Sequence, residues 1–122
     1  MPDWGPFSQP IETHIDIKPG SKSNVINPGS KGLIPVGIFT SDKIDAARDL
    51  DPSTLTFGPN NAAAVKWKIK DLNNDGNLDL LLFFKTRDTG IACGDTEASI
   101  SGQTTWGASI TGTDTLKTVY CK

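Results

Sequence analysis

An all-β sandwich is the fold class this sequence predicts, and three observations carry the reading. Apolar residues recur at every second position through several segments. Clusters of glycine, proline and asparagine interrupt that alternation at intervals suited to about seven or eight short strands. No strand-helix unit repeats, as a parallel α/β sheet would require. The expected architecture is an antiparallel sandwich, immunoglobulin-like or jelly-roll-like. A chain of 122 residues fits a single domain.

Residues 1–10 hold Pro2, Pro6 and Pro10 without periodicity and read as an N-terminal arm or linker, leaving 11–122 as the sandwich domain. From Ile11, the residues Ile11, Thr13, Ile15 and Ile17 alternate with Glu12, His14, Asp16 and Lys18, a strand pattern. "KPGS" and "INPGSKG" are turns. "GLIPVGIFT", Gly32 to Thr40, is a buried strand whose Pro35 places it near an edge or bulge. Asp42 to Leu50 is the one helical candidate, a turn or so capped by Ser41 or Asp42.

The remainder is β. "STLTFG" makes a short strand, and "AAVKWKIKD" alternates Val65, Trp67 and Ile69 with Lys66, Lys68 and Lys70. That period puts Trp67 in the core with Val65 and Ile69, and the lysines on a solvated face. Such a lysine row also guards an edge strand or meets an anionic polymer. "LDLLLFFKT" is apolar on both faces, the mark of a central strand, with Phe83 and Phe84 in the core. "TEASISGQT", the piece from Ala108 to Thr111, and "DTLKTVY" supply the last strands.

Composition narrows the function. Twelve Lys+Arg against 14 Asp+Glu leave a formal net charge of −2, unlike the basic surface of a nucleic-acid binder. No run approaches the ~18 apolar residues of a membrane span. Met1 to Pro10 lacks the apolar stretch of a secretory signal, so the chain reads as one whose export signal has been removed. Two cysteines, Cys93 and Cys121, in a small Thr/Ser/Gly-rich chain read most simply as one disulfide; two free thiols are the competing reading. A secreted, extracellular or cell-surface location follows.

The sharpest motif is "DLNNDGNLDL", Asp71 to Leu80. Oxygen-bearing side chains stand at loop positions one, three, five and nine, namely Asp71, Asn73, Asp75 and Asp79. A hard cation such as Ca²⁺ takes six to eight oxygens at roughly 2.3–2.6 Å, and alternate residues of a tight loop can converge on it. Gly76 permits the sharp bend, and Asn77 would contribute its backbone carbonyl. Three carboxylates within nine residues repel one another without a cation. An ordinary Asn/Asp-Gly turn is the plainer alternative, but it needs fewer such residues. Leu82 occupies the twelfth position, where the helical EF-hand carries a bidentate glutamate. The loop therefore resembles the shorter, strand-flanked calcium loop of FG-GAP and related extracellular repeats, with an expected Kd of roughly 10⁻⁵ to 10⁻³ M.

Taken together, "IDIKPGS", "NPGSKGLIPVGIFT", "DPSTLTFG", the calcium loop and "FKTRDTGIACGDTEASISG" resemble a calcium-loop β-sandwich domain that recurs at the ends of exported bacterial and archaeal proteins. The resemblance spans about Ile15 to Cys121. It implies an extracellular β-domain and brings no catalytic residues with it.

Catalysis finds little support in the residues. Glu12 and Glu97 are the only glutamates, His14 the only histidine, and no nucleophile elbow, zinc-binding helix motif or phosphate loop is present. Trp106, in the polar loop "TTWGAS", is the candidate ligand platform, or else a plug over the end of the sandwich. Trp4 in the arm is a second contact candidate. The expected function is a non-catalytic, calcium-binding extracellular module that binds polysaccharide or another surface polymer. The alternatives are a structural or adhesive building block that meets neighbouring surface-protein domains, and a small glycan-active hydrolase using Glu12 or Glu97.

Overall fold

A computed structural model describes residues 10–21 and 23–121, so Trp4 and the arm up to Gln9 lie outside the described residues. Along the chain run β1 (Ile11–Glu12), β2 (His14–Ile17), β3 (Val25–Ile26), β4 (Leu33–Phe39), β5 (Thr56–Phe57) and β6 (Ala62–Ala63). They are followed by β7 (Lys66–Lys70), β8 (Asp79–Lys85), β9 (Glu97–Gln103), β10 (Ser109–Thr115) and β11 (Lys117–Thr118). One sheet has the order β1-β10-β9-β5-β6, the facing sheet β2-β4-β8-β7, and β11 pairs with β3. The expected all-β sandwich is the observed fold. It has more strands than expected among the described residues, because several are two-residue pieces.

The alternating run from Ile11 to Ile17 is not one strand. It crosses between sheets at Thr13: Ile11 and Glu12 run parallel to β10, whereas β2 pairs antiparallel with β4. Thr13 makes the crossing by donating both its N–H (2.7 Å) and its hydroxyl (3.0 Å) to Thr111 O. This stitch joins the two layers at one edge. β11 with β3 is a second parallel pair.

The core lies between the sheets and is filled by Ile15, Ile17, Val36, Ile38, Leu55, Phe57, Leu80, Leu82, Phe84, Ile100 and Ile110, all nearly or fully buried. β8 is the central strand that its continuous apolar run predicts, flanked by β4 and β7. Phe84 meets Phe57 of the opposite sheet with ring centroids 5.2 Å apart. Phe83 differs from expectation. It points to the outer face, half-buried beneath Lys66, whose Nζ sits 4.9 Å from the ring centroid.

Two further expectations are corrected. Asp42 to Leu50 forms turns and not a helix. Asp45 there caps a single turn, its side chain accepting from Ala47 N–H (3.1 Å) and its carbonyl from Asp49 N–H (2.7 Å). The only helical residues described are two short 3-10 turns, Pro52–Thr54 and Thr86–Asp88. The other correction concerns Trp67, which is 45% exposed, with Val65 and Ile69 similarly open. β7 is the edge of its sheet, and the facing sheet ends in the two alanines of β6, which lie over β8. Among the described residues nothing reaches across to cover the inner face of β7.

Cys93 and Cys121 form the expected disulfide, with Cα atoms 5.6 Å apart. It ties the residues after β11 to the turn before β9, where Gly94 N–H also donates to Thr118 Oγ1 (3.0 Å). Among the described residues no helix is long and apolar enough to cross a membrane.

Candidate metal centre

The Asp71–Asp79 segment joins the edge strand β7 to the central strand β8. Its bend follows from side chains that hydrogen-bond their own backbone. Asp71 Oδ2 accepts from Gly76 N–H (3.0 Å), Asp71 Oδ1 from Asp75 N–H (3.3 Å), and Asp75 Oδ1 from Asn77 N–H (2.9 Å). Gly76 holds φ at +88°, a conformation that residues with a Cβ rarely adopt. The chain thus coils around a small centre with its oxygen-bearing side chains turned inward.

Carboxylate oxygens of Asp71, Asp75 and Asp79 lie within 4.8 Å of one another, a grouping that could hold a metal ion. Asn73 completes the ring. Its amide places one terminal atom 3.2 Å from Asp71 Oδ1 and 2.9 Å from Asp75 Oδ1. With nitrogen in that place, the amide donates to both carboxylates. With oxygen there, three acceptors crowd together, an arrangement that a cation among them would stabilise. The donor set is entirely oxygen, which suits a hard divalent cation.

Burial is the largest single influence on the Asp71 carboxyl and acts to raise its pKa. The N–H groups of Gly76, Asp75, Asn73 and Asn74 oppose it and together hold the group below the ordinary aspartate value. Asp71 therefore stays ionised, as a metal ligand must.

Asp79 differs from its partners in being fully buried. Its Oδ1 accepts from Thr40 N–H and its Oδ2 from Leu72 N–H, both at 2.9 Å. Thr40 Oγ1 in turn donates to Leu78 O (2.7 Å) and accepts from Ala46 N–H (2.9 Å). One carboxylate thus fastens the entry of the loop, the end of β4 and the Asp45 turn together. Nothing local in the sequence marks Thr40 or Leu72 as its partners.

Leu72 lies on the outer face of the sheet against Gly37, where a Cβ would stand 2.5 Å from Leu72 Cδ1. We expect Gly37→Ala to displace Leu72 and to cost about 1–3 kcal/mol, read as a lower urea midpoint with an unchanged slope. An unchanged midpoint would mean that the leucine yields freely.

The other candidate residues scatter. Trp106 is 61% exposed on the turn between β9 and β10, so it does not plug the sandwich. That turn is held by Thr105 N–H donating to Asp49 O (2.8 Å). Asp45, Ala47 and Arg48 of the same turn region line a depression of about 380 Å³ together with Gly76, Asn77 and Leu78. Trp106 and the acidic loop therefore flank the 45–50 turn at one end of the molecule. His14 is exposed and meets Phe39 edge-on at 5.1 Å. Glu12 lines an open depression with His14 and Asp42, whereas Glu97 lies two strands away on β9. The registers put Glu12 opposite Thr111 and Glu97 opposite Thr115. Strand spacings convert that offset to roughly 16 Å between backbones, well beyond the ~5–9.5 Å of paired glycosidase carboxyls. Compared with known proteins, the chain matches no family model, no curated protein and no solved structure.

Proposed function

We propose that the domain is a non-catalytic, extracellular calcium-binding module that attaches to polysaccharide or another surface polymer as an accessory domain. The convergence of Asp71, Asp75 and Asp79 on one centre, with Asn73 beside them, is the observation that carries the reading. Calcium would take the side chains of Asp71, Asn73, Asp75 and Asp79 and the backbone carbonyl of Asn77. Millimolar calcium outside cells fills a site of modest affinity, and an oxidising compartment maintains the disulfide. Trp106 supports the polymer-binding part, because a flat, exposed aromatic on a turn suits a sugar ring. A structural or adhesive role among neighbouring surface-protein domains is the second reading, favoured by the uncovered edge strand β7.

Thermal melts with millimolar calcium and with excess chelator test the metal. At a Kd of roughly 10⁻⁵ to 10⁻³ M, about 1 mM calcium should stabilise the fold by about 0.4–2.7 kcal/mol and raise Tm by roughly 1–12 °C. Asp75→Ala, at an exposed position, should leave the chelated melt nearly unchanged and abolish most of the calcium response. A full calcium response in that variant overturns the site. Retention on immobilised glycans that is lost in Trp106→Ala supports the polymer role. Calcium-dependent growth into large species on size exclusion favours assembly instead.

A further inference from the structure

β7 is an edge strand in which all five residues are exposed. Its two faces differ in chemistry. Trp67 and Ile69 share the inner face with Leu82 and Leu80, their register partners, and remain 45% and 52% exposed. Lys66, Lys68 and Lys70 project to the other face, and among the described residues none of them forms a salt bridge.

Among the described residues the outer backbone edge of β7 is open as well. Phe83 O accepts from Val65 N–H at 2.8 Å, so the peptide groups of Phe83, Leu81 and Asp79 face β7. In an antiparallel ladder the alternate pairs, Trp67 with Leu82 and Ile69 with Leu80, are then not hydrogen-bonded to each other. The N–H and C=O groups of Trp67 and Ile69 therefore point away from β8, at the spacing that a further strand would need.

We propose that β7 is a docking edge for an extended peptide segment whose side chains alternate between acidic and apolar, added as a fifth strand to the β2-β4-β8-β7 sheet. Acidic side chains of the incoming strand meet the lysine row. Its apolar side chains cover Trp67 and Ile69, and its backbone bonds to their open groups. A second copy of β7 does not fit, because antiparallel self-pairing sets lysine against lysine on one face. An anionic polysaccharide satisfies the charge but has neither the period-two alternation nor the backbone ladder. This inference goes beyond the calcium-module reading and does not depend on it.

The test is an NMR and calorimetric titration of the protein, with calcium and again with chelator, using a blocked seven-residue peptide alternating glutamate and valine, with a lysine-valine peptide as control. The acidic peptide should bind, and the amides of Trp67 and Ile69 should shift and become protected from exchange. Ile69→Pro removes an outward N–H while sparing the ladder with β8, and should weaken binding at least tenfold. The triple variant Lys66→Glu, Lys68→Glu, Lys70→Glu changes exposed positions only, and should reverse the preference toward the lysine-valine peptide. Binding that maps elsewhere, that survives Ile69→Pro, or that fails to reverse overturns the proposal. So does self-association through β7 in sedimentation, or polygalacturonate binding to this edge that Ile69→Pro leaves intact.

Discussion

Asp79→Ala should destabilise the protein by about 3–5 kcal/mol in chelator as well as in calcium, lowering Tm by more than 10 °C. The reason is not the metal. Truncation strips two part-buried N–H groups, those of Thr40 and Leu72, of their common, fully buried acceptor. Each such loss costs roughly 1–3 kcal/mol to the extent that the vacated space at Asp79, itself fully buried, keeps water from the donors. Asp79→Asn keeps one acceptor oxygen and turns an amide nitrogen toward the other donor, so it should fall between wild type and alanine. Asp75→Ala supplies the contrast, since its penalty should be confined to calcium-containing buffer. Parallel melts of the three variants with and without chelator separate the two roles. An Asp79→Ala chelated melt that matches wild type would show that the Thr40 and Leu72 contacts contribute nothing.

That long-range fastening explains what sequence could and could not reveal. The oxygen spacing from Asp71 to Asp79 is local, and the loop closes on itself through side-chain-to-backbone bonds, so the candidate centre was readable. The bond from Asp79 to Thr40 crosses 39 positions, and no local pattern encodes it. β8 was readable for a similar reason, since a run apolar on both faces has few homes other than a sheet centre. Trp67 was misplaced because alternation tells which residues share a face, not how far the opposite sheet extends. Here that sheet stops at β6, one strand short. Thr13 is another such case, where unbroken alternation runs through a change of sheet.

Replacing the disulfide, as Cys93→Ser with Cys121→Ser, should cost about 3–4 kcal/mol and lower Tm by roughly 10–15 °C. The chain between the two cysteines contains the β9–β10 hairpin and β11, so the bridge restricts a long segment of the unfolded chain. In the folded protein it anchors β11, whose pairing with β3 spans only two residues at each strand. Hydrogen exchange should show this locally, with Lys117 and Val119 N–H, which donate to Asn24 O and Ile26 O, losing protection before the β4–β8 core does. The bridge and the acidic loop lie beyond opposite ends of β8, about 20 Å apart along the strand. Their effects should therefore add to within about 0.5 kcal/mol when the double-serine variant is melted in calcium and in chelator. A strongly non-additive result would couple the two ends through β8. Additivity would leave two independent clamps, one requiring an oxidising compartment and the other, on the proposed reading, millimolar calcium. A domain relying on both would be several kcal/mol less stable in a reducing, calcium-poor cytoplasm than outside the cell.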